Sequence, residues 1–127
     1  MRDITALPFF APAHRDLCRR AAAIAKDLTG RIDHHDVDGS CRRLVKDFAK
    51  EGLLRLSVPE TRHDVRSLCL IRESMAYEDG LADFAFAMQG LGSGPIVLFG
   101  TDEQKKRWLP QVASGDALAA FAITEPE

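Results

Sequence analysis

Apolar residues recur along this chain at intervals of three and four, the repeat of one buried face of an α-helix. From Ala13 to Leu28 the series is Leu17, Ala21, Ile24, Ala25 and Leu28, with Gly30 placed to close the helix. After a polar loop, RIDHHDVDG, Leu44, Val45, Phe48, Ala49 and Leu53 mark a second helix, capped by Asp38 or Ser40 and stopped before Pro59. Asp64 is placed to cap a third helix reaching about Asp79, its face formed by Val65, Leu68, Ile71, Arg72 and Met75. A fourth helix runs from about Leu81 into GLGSGP at residues 90–95. Its Phe84, Ala85, Phe86, Ala87 and Met88 are apolar on several sides, which predicts the central and most buried helix. Pro95 then opens a short apolar stretch, Ile96 to Phe99.

A further helix has its own start and stop signals. Thr101 and Gln104 have the spacing of a capping box, and Asp102 and Glu103 place negative charge at the positive end of the helix dipole. Leu109 and Val112 carry its apolar face, and Gly115 with Asp116 ends it. Beyond it, Ala117 to Ile123 is apolar throughout and reads as a buried strand, broken by Thr124-Glu125-Pro126. An unpaired strand leaves a row of backbone donors and acceptors without partners. Either this one frays or pairs with a second chain, or its sheet lies in further polypeptide. The second reading is the expectation: residues 1–116 form a helical domain of five or six helices, and 117–127 begin a β-domain.

Composition adds bounds. The 127 residues make about one domain, and 46% hydrophobic with 28% charged residues is the usage of a soluble globular protein. A formal net charge of -2 gives no electrostatic reason to expect nucleic acid or an anionic membrane. No apolar run approaches the roughly 20 residues of a spanning helix, and the first residues lack the apolar core of a signal peptide. Cys18, Cys41 and Cys69 are odd in number and widely spaced, the pattern of reduced thiols in a cytoplasmic protein.

Two clusters invite chemistry. His34 and His35 are adjacent in a loop without the accompanying ligands of a metal site, so solvated histidines are the better reading. Gly90, Gly92 and Gly94 lack the preceding strand of a dinucleotide fingerprint and the Lys-Ser/Thr of a P-loop. A close helix crossing or a helix break explains them better.

The run GPIVLFGTDEQKKRWLPQVASGDALAAFAITEPE closely resembles the flavin-dependent acyl-CoA dehydrogenases, with their PI-x-x-x-G-[ST]-x-E-Q-K helix, short turn and strand ending in T-E-P. The preceding helices match that family's N-terminal domain in number and order, so the resemblance covers nearly the whole chain. It implies an all-α fold of up-and-down helices ending in one strand of the β-domain. It also implies FAD as cofactor, with Phe121, Ile123 and Thr124 at the polar edge of the flavin ring. Phe84, Ala87 and Leu91 are the implied contacts of the acyl tail, with helix-core packing as the alternative for each.

The resemblance further implies α,β-dehydrogenation of an acyl-CoA thioester. A carboxylate removes the α-proton, a hydride passes from the β-carbon to the flavin, and electrons go on to an electron-transfer flavoprotein. In the family the Gly-Ser-Asp segment after T-E-P, most of the β-domain and the helical domain carrying the catalytic Glu all follow the residues matched here. No residue of this chain is therefore expected to be the catalytic base. Glu125 and Glu127 have no match to it, and Glu73, Glu78 and Asp79 look like helix-surface charge. The chain alone is expected to be inactive, and the full-length protein to be a homo-tetramer. Acyl-carrier-protein dehydrogenases, acyl-CoA oxidases and flavin monooxygenases share the architecture and are the alternatives, beside a non-catalytic helical interaction module.

Overall fold

The structure, a computed structural model, describes residues 4–59 and 62–126. A short 3-10 turn, Ile4–Ala6, precedes six helices: α1 Pro12–Thr29, α2 Val37–Lys50, α3 Leu54–Ser57, α4 Val65–Glu78, α5 Gly80–Phe99 and α6 Asp102–Ala113. The expected all-α fold is present. One core joins α1, α2, α4 and α5 through Ala21, Ile24, Leu44, Phe48, Ile71, Met75 and Phe86. At its centre the rings of Phe48 and Phe86 meet edge to face, 5.7 Å apart, the arrangement aromatic quadrupoles favour. A second, smaller cluster of Val58, Val97, Leu109 and Val112 fixes α6 to the end of α5.

Local signals explain most of the boundaries. Thr101 and Gln104 close the expected capping box: Thr101 Oγ1 accepts from the Gln104 N–H at 3.3 Å, and Gln104 Oε1 accepts from the Thr101 N–H at 2.9 Å. Asp64 caps α4 as expected, accepting from the Arg66 N–H at 3.2 Å. The buried line of α4 is Ser67, Leu70, Ile71, Ser74 and Met75, while Val65 is exposed. Serines enter that line because a hydroxyl can bond its own helix, as Ser74 does by donating to the Leu70 carbonyl at 2.8 Å.

Four expectations change. The cap of α2 is Asp36, whose carboxylate accepts from the Gly39 N–H at 3.0 Å. Asp38 and Ser40 lie inside the helix, and the cap falls earlier because the turn from Asp33 already delivers the chain there. Second, α5 does not break at the glycines but continues through Pro95 to Phe99. It is 20 residues long and, by length and composition only, apolar enough to cross a membrane. Here it packs against α2, α3, α4 and α6. Third, α5 is central but not buried all round, since Phe84, Leu91, Leu98 and Phe99 are exposed. Fourth, residues 117–126 form no strand, and among the described residues none lies in a sheet. A strand needs a parallel or antiparallel neighbour to complete its ladder, and this segment has only helices beside it.

Candidate functional site

The site expected from the sequence lies on α5 and on the segment that follows α6. Asp79 starts α5 by accepting from the Leu81 N–H at 2.8 Å, and the Arg72 guanidinium on α4 grips Asp83 through two bonds of 2.8 Å. This fork locks the first turn of α5 to its neighbour. From there Phe84, Ala87, Leu91 and Leu98 follow at helical spacing along one side. Phe84 and Leu91 are more than half exposed, and Ala87 is half-buried. The helix-core alternative fails for Phe84 and Leu91: they form an open apolar stripe.

The terminal segment crosses α5 at Gln89 and Gly92. Gln89, buried to 3% exposure, uses both ends of its amide: Nε2 donates to the Ala85 carbonyl at 3.1 Å, and Oε1 accepts from the Ala119 N–H at 2.9 Å. One turn on, Gly92 lets the backbone of Ala120 come so close that a Cβ there would stand 2.6 Å from its nitrogen. The break expected at the glycines is absent, and the close approach at Gly92 is made by this segment and not by a crossing helix. Ala117 and Ala119 pack on the Val97 and Val112 cluster, while Leu118, Phe121 and Ile123 are exposed. The strand was expected to be buried; no second layer covers it among the described residues.

Beyond the Gln89 bond, no hydrogen bond engages the backbone N–H groups of Phe121, Ile123 and Thr124 among the described residues. Thr124 is exposed. Free donors on an exposed, extended backbone suit a planar ligand with a polar edge. Such donors stabilise negative charge developing on that edge. The residues present therefore fit a flavin.

Sequence reasoning missed Gln89. Its signal was visible, because it is the one amide in a helix of otherwise apolar, small or acidic residues.

Elsewhere, His34 is exposed and bonds Asp79 at 2.9 Å, and among the described residues no three His, Cys, Asp or Glu converge on one point. Asp79 thus does more than carry surface charge, since it caps α5. Among the described residues the side chains of Glu73 and Glu78 make no hydrogen bond or ion pair, Glu125 is exposed, and Glu127 lies outside the described residues. No disulfide joins the cysteines; Cys69 is exposed, and burial pushes the Cys41 thiol up, Asp38 adding to it. A groove of about 1120 Å³ between α2, α3 and α6 is lined by Lys46, Lys50, Arg55, Lys105, Lys106 and Leu109, and none of the expected site residues reaches it.

Residues 11–116 match the family model described as acyl-CoA dehydrogenase, N-terminal domain. The chain belongs to the acyl-CoA dehydrogenase family, a family of oxidoreductases. It is 41% identical over 99 residues to a probable acyl-CoA dehydrogenase of Bacillus subtilis, covering 75% of this chain and 16% of that protein. A second acyl-CoA dehydrogenase of that organism is 34% identical over 117 residues, covering 88% of this chain and 30% of the relative. The mitochondrial very long-chain specific acyl-CoA dehydrogenase of Bos taurus is 46% identical over 110 residues, covering 82% and 15%. The chain thus spans less than a third of the length of these curated relatives.

Proposed function

We propose that this chain supplies one wall of the flavin and acyl sites of an FAD-dependent acyl-CoA dehydrogenase. The observation that carries the reading is that one helix, α5, bears both an open apolar stripe and, crossing it at Gln89 and Gly92, a segment whose backbone donors are free. Phe121, Ile123 and Thr124 would hold the polar edge of the flavin through backbone groups and the Thr124 hydroxyl. When bound, FAD supplies the hydride acceptor for α,β-dehydrogenation of an acyl-CoA thioester.

The chain's own residues bind, orient and exclude water. Phe84, Ala87 and Leu91 give the acyl tail an apolar surface, and each buried CH₂ contributes about 0.8 kcal/mol. The N–H groups of the terminal segment point charge-stabilising dipoles at the cofactor edge. No acid of this chain acts as the base; that carboxylate belongs to another part of the protein, and the isolated 127 residues do not turn over. Electron-transfer flavoprotein is the onward acceptor, and the complete enzyme is a tetramer.

The test of the acyl wall is Leu91→Trp in the flavin-loaded enzyme, with KM measured over a series of acyl-CoA chain lengths. Filling the stripe raises KM for long thioesters by about tenfold or more and leaves short ones nearly unchanged, at about 0.8 kcal/mol per CH₂ displaced. A profile identical to the parent's across all lengths refutes the assignment of this wall.

A further inference from the structure

We propose that Gln89 is a positioning residue which, with Gly92, clasps the terminal segment to α5 and so sets the register of the backbone donors offered to the flavin edge. The inference rests on the reading of that site given above.

A buried primary amide is costly unless its polar atoms are paired. Gln89 is paired at both ends, and in only one orientation. Its Nε2 anchors on the Ala85 carbonyl of its own helix, which leaves Oε1 facing outward to accept from Ala119. Rotating the amide would set N–H against N–H. Among the described residues, this is the one hydrogen bond between residues 118–126 and the helices.

Register matters because side chains alternate along an extended backbone. Ala117 and Ala119 face the cluster of Val97 and Val112, while Leu118 and Ala120 point away. A slip of one residue would drive Leu118 into the crease that Ala119 now fills. It would also turn every donor from Phe121 to Thr124 through half a pleat. Gln89 fixes which residue sits at the crease. Gly92 fixes how deep it sits, since any Cβ at that position meets the Ala120 nitrogen at 2.6 Å and its oxygen at 2.7 Å.

The experiment is amide hydrogen exchange by NMR on the 127-residue chain, comparing the parent with Gln89→Met and Gly92→Ala. Methionine keeps the length of the side chain and removes the acceptor; alanine leaves Gln89 intact and lifts the segment. Both variants speed exchange at Ala119 by about tenfold and shift the resonances of Leu118 to Ile123. Core amides such as those of Phe48 and Met75 keep their protection. In the flavin-loaded enzyme the same variants weaken FAD binding by a comparable factor.

An Ala119 amide that exchanges alike in parent and Gln89→Met overturns the clasp. Loss of protection across all core amides in parallel reduces Gln89 to a structural residue and overturns it equally. A released segment with unchanged FAD affinity overturns the positioning role. The exchange readout involves no thioester, so it can fail while the acyl-wall profile of Leu91→Trp stands, and the reverse.

Discussion

Asp64 shows how much one side chain can organise. It caps α4 and at the same time accepts from His14 Nε2 at 2.7 Å and from Ser67 Oγ at 3.0 Å. His14 is buried, and its Nδ1 accepts from the Ala11 N–H at 2.9 Å, which ties the start of α1 to the start of α4. The His14 hydrogen bond, followed by those of Arg66 and Ser67, holds the Asp64 carboxyl far below the ordinary carboxylate range. A folded value below the unfolded one stabilises the fold above the unfolded pKa of about 3.9, and this contribution is lost as pH falls below it. Urea midpoints measured from pH 6 down to pH 2 therefore fall steeply below about pH 4, and Asp64→Asn, which can still cap, flattens that fall. Asp64→Ala costs about 1 kcal/mol at neutral pH through the lost cap. The cap was legible from Asp64 standing just ahead of a periodic run. Its partner was not, because His14 lies 50 residues away along the chain and no local pattern joins them.

At the level of elements, α5 decides where the site falls. Its glycines read as a close helix crossing or a break, and Pro95 favours a break because proline removes one helical donor and crowds the carbonyl four residues back. Packing overrides that signal. Val97 is buried with Leu109 and Val112, and Ser93 Oγ bonds the Gln89 carbonyl at 2.6 Å, so the helix is held on both sides of the proline. Pro95→Ala restores a donor toward the Leu91 carbonyl and raises the unfolding free energy by about 1–3 kcal/mol; a drop in urea midpoint contradicts a continuous helix here. Phe48 at the α2–α5 contact is fully buried. Phe48→Ala destabilises the chain by about 3–5 kcal/mol, seen as a lower thermal midpoint. The helix periods gave these core positions directly. They did not give the short α3, whose four residues are too few for a periodic signal.

For the whole molecule, the helical architecture was legible because most long helices carry their own apolar period and most carry a cap. The state of the terminal segment was not. Its composition is that of a strand, but strand formation depends on a neighbour that local sequence does not contain. In the structure it lies extended on α5, half in the Val97 crease and half open. Of the candidate site, Phe84, Ala87, Leu91, Phe121, Ile123 and Thr124 came from resemblance, and the crossing of α5 by the segment that holds the last three came only from tertiary packing. An exposed apolar stripe on α5 and an uncovered apolar segment are surfaces of the kind built to be covered.

The most direct measurement is the visible absorption spectrum of the protein purified from its own cells, before and after anaerobic addition of an acyl-CoA thioester. The expected result is a flavin band that bleaches on addition as the bound FAD is reduced. A protein that carries no flavin, or a flavin band that no acyl-CoA thioester changes, would contradict it.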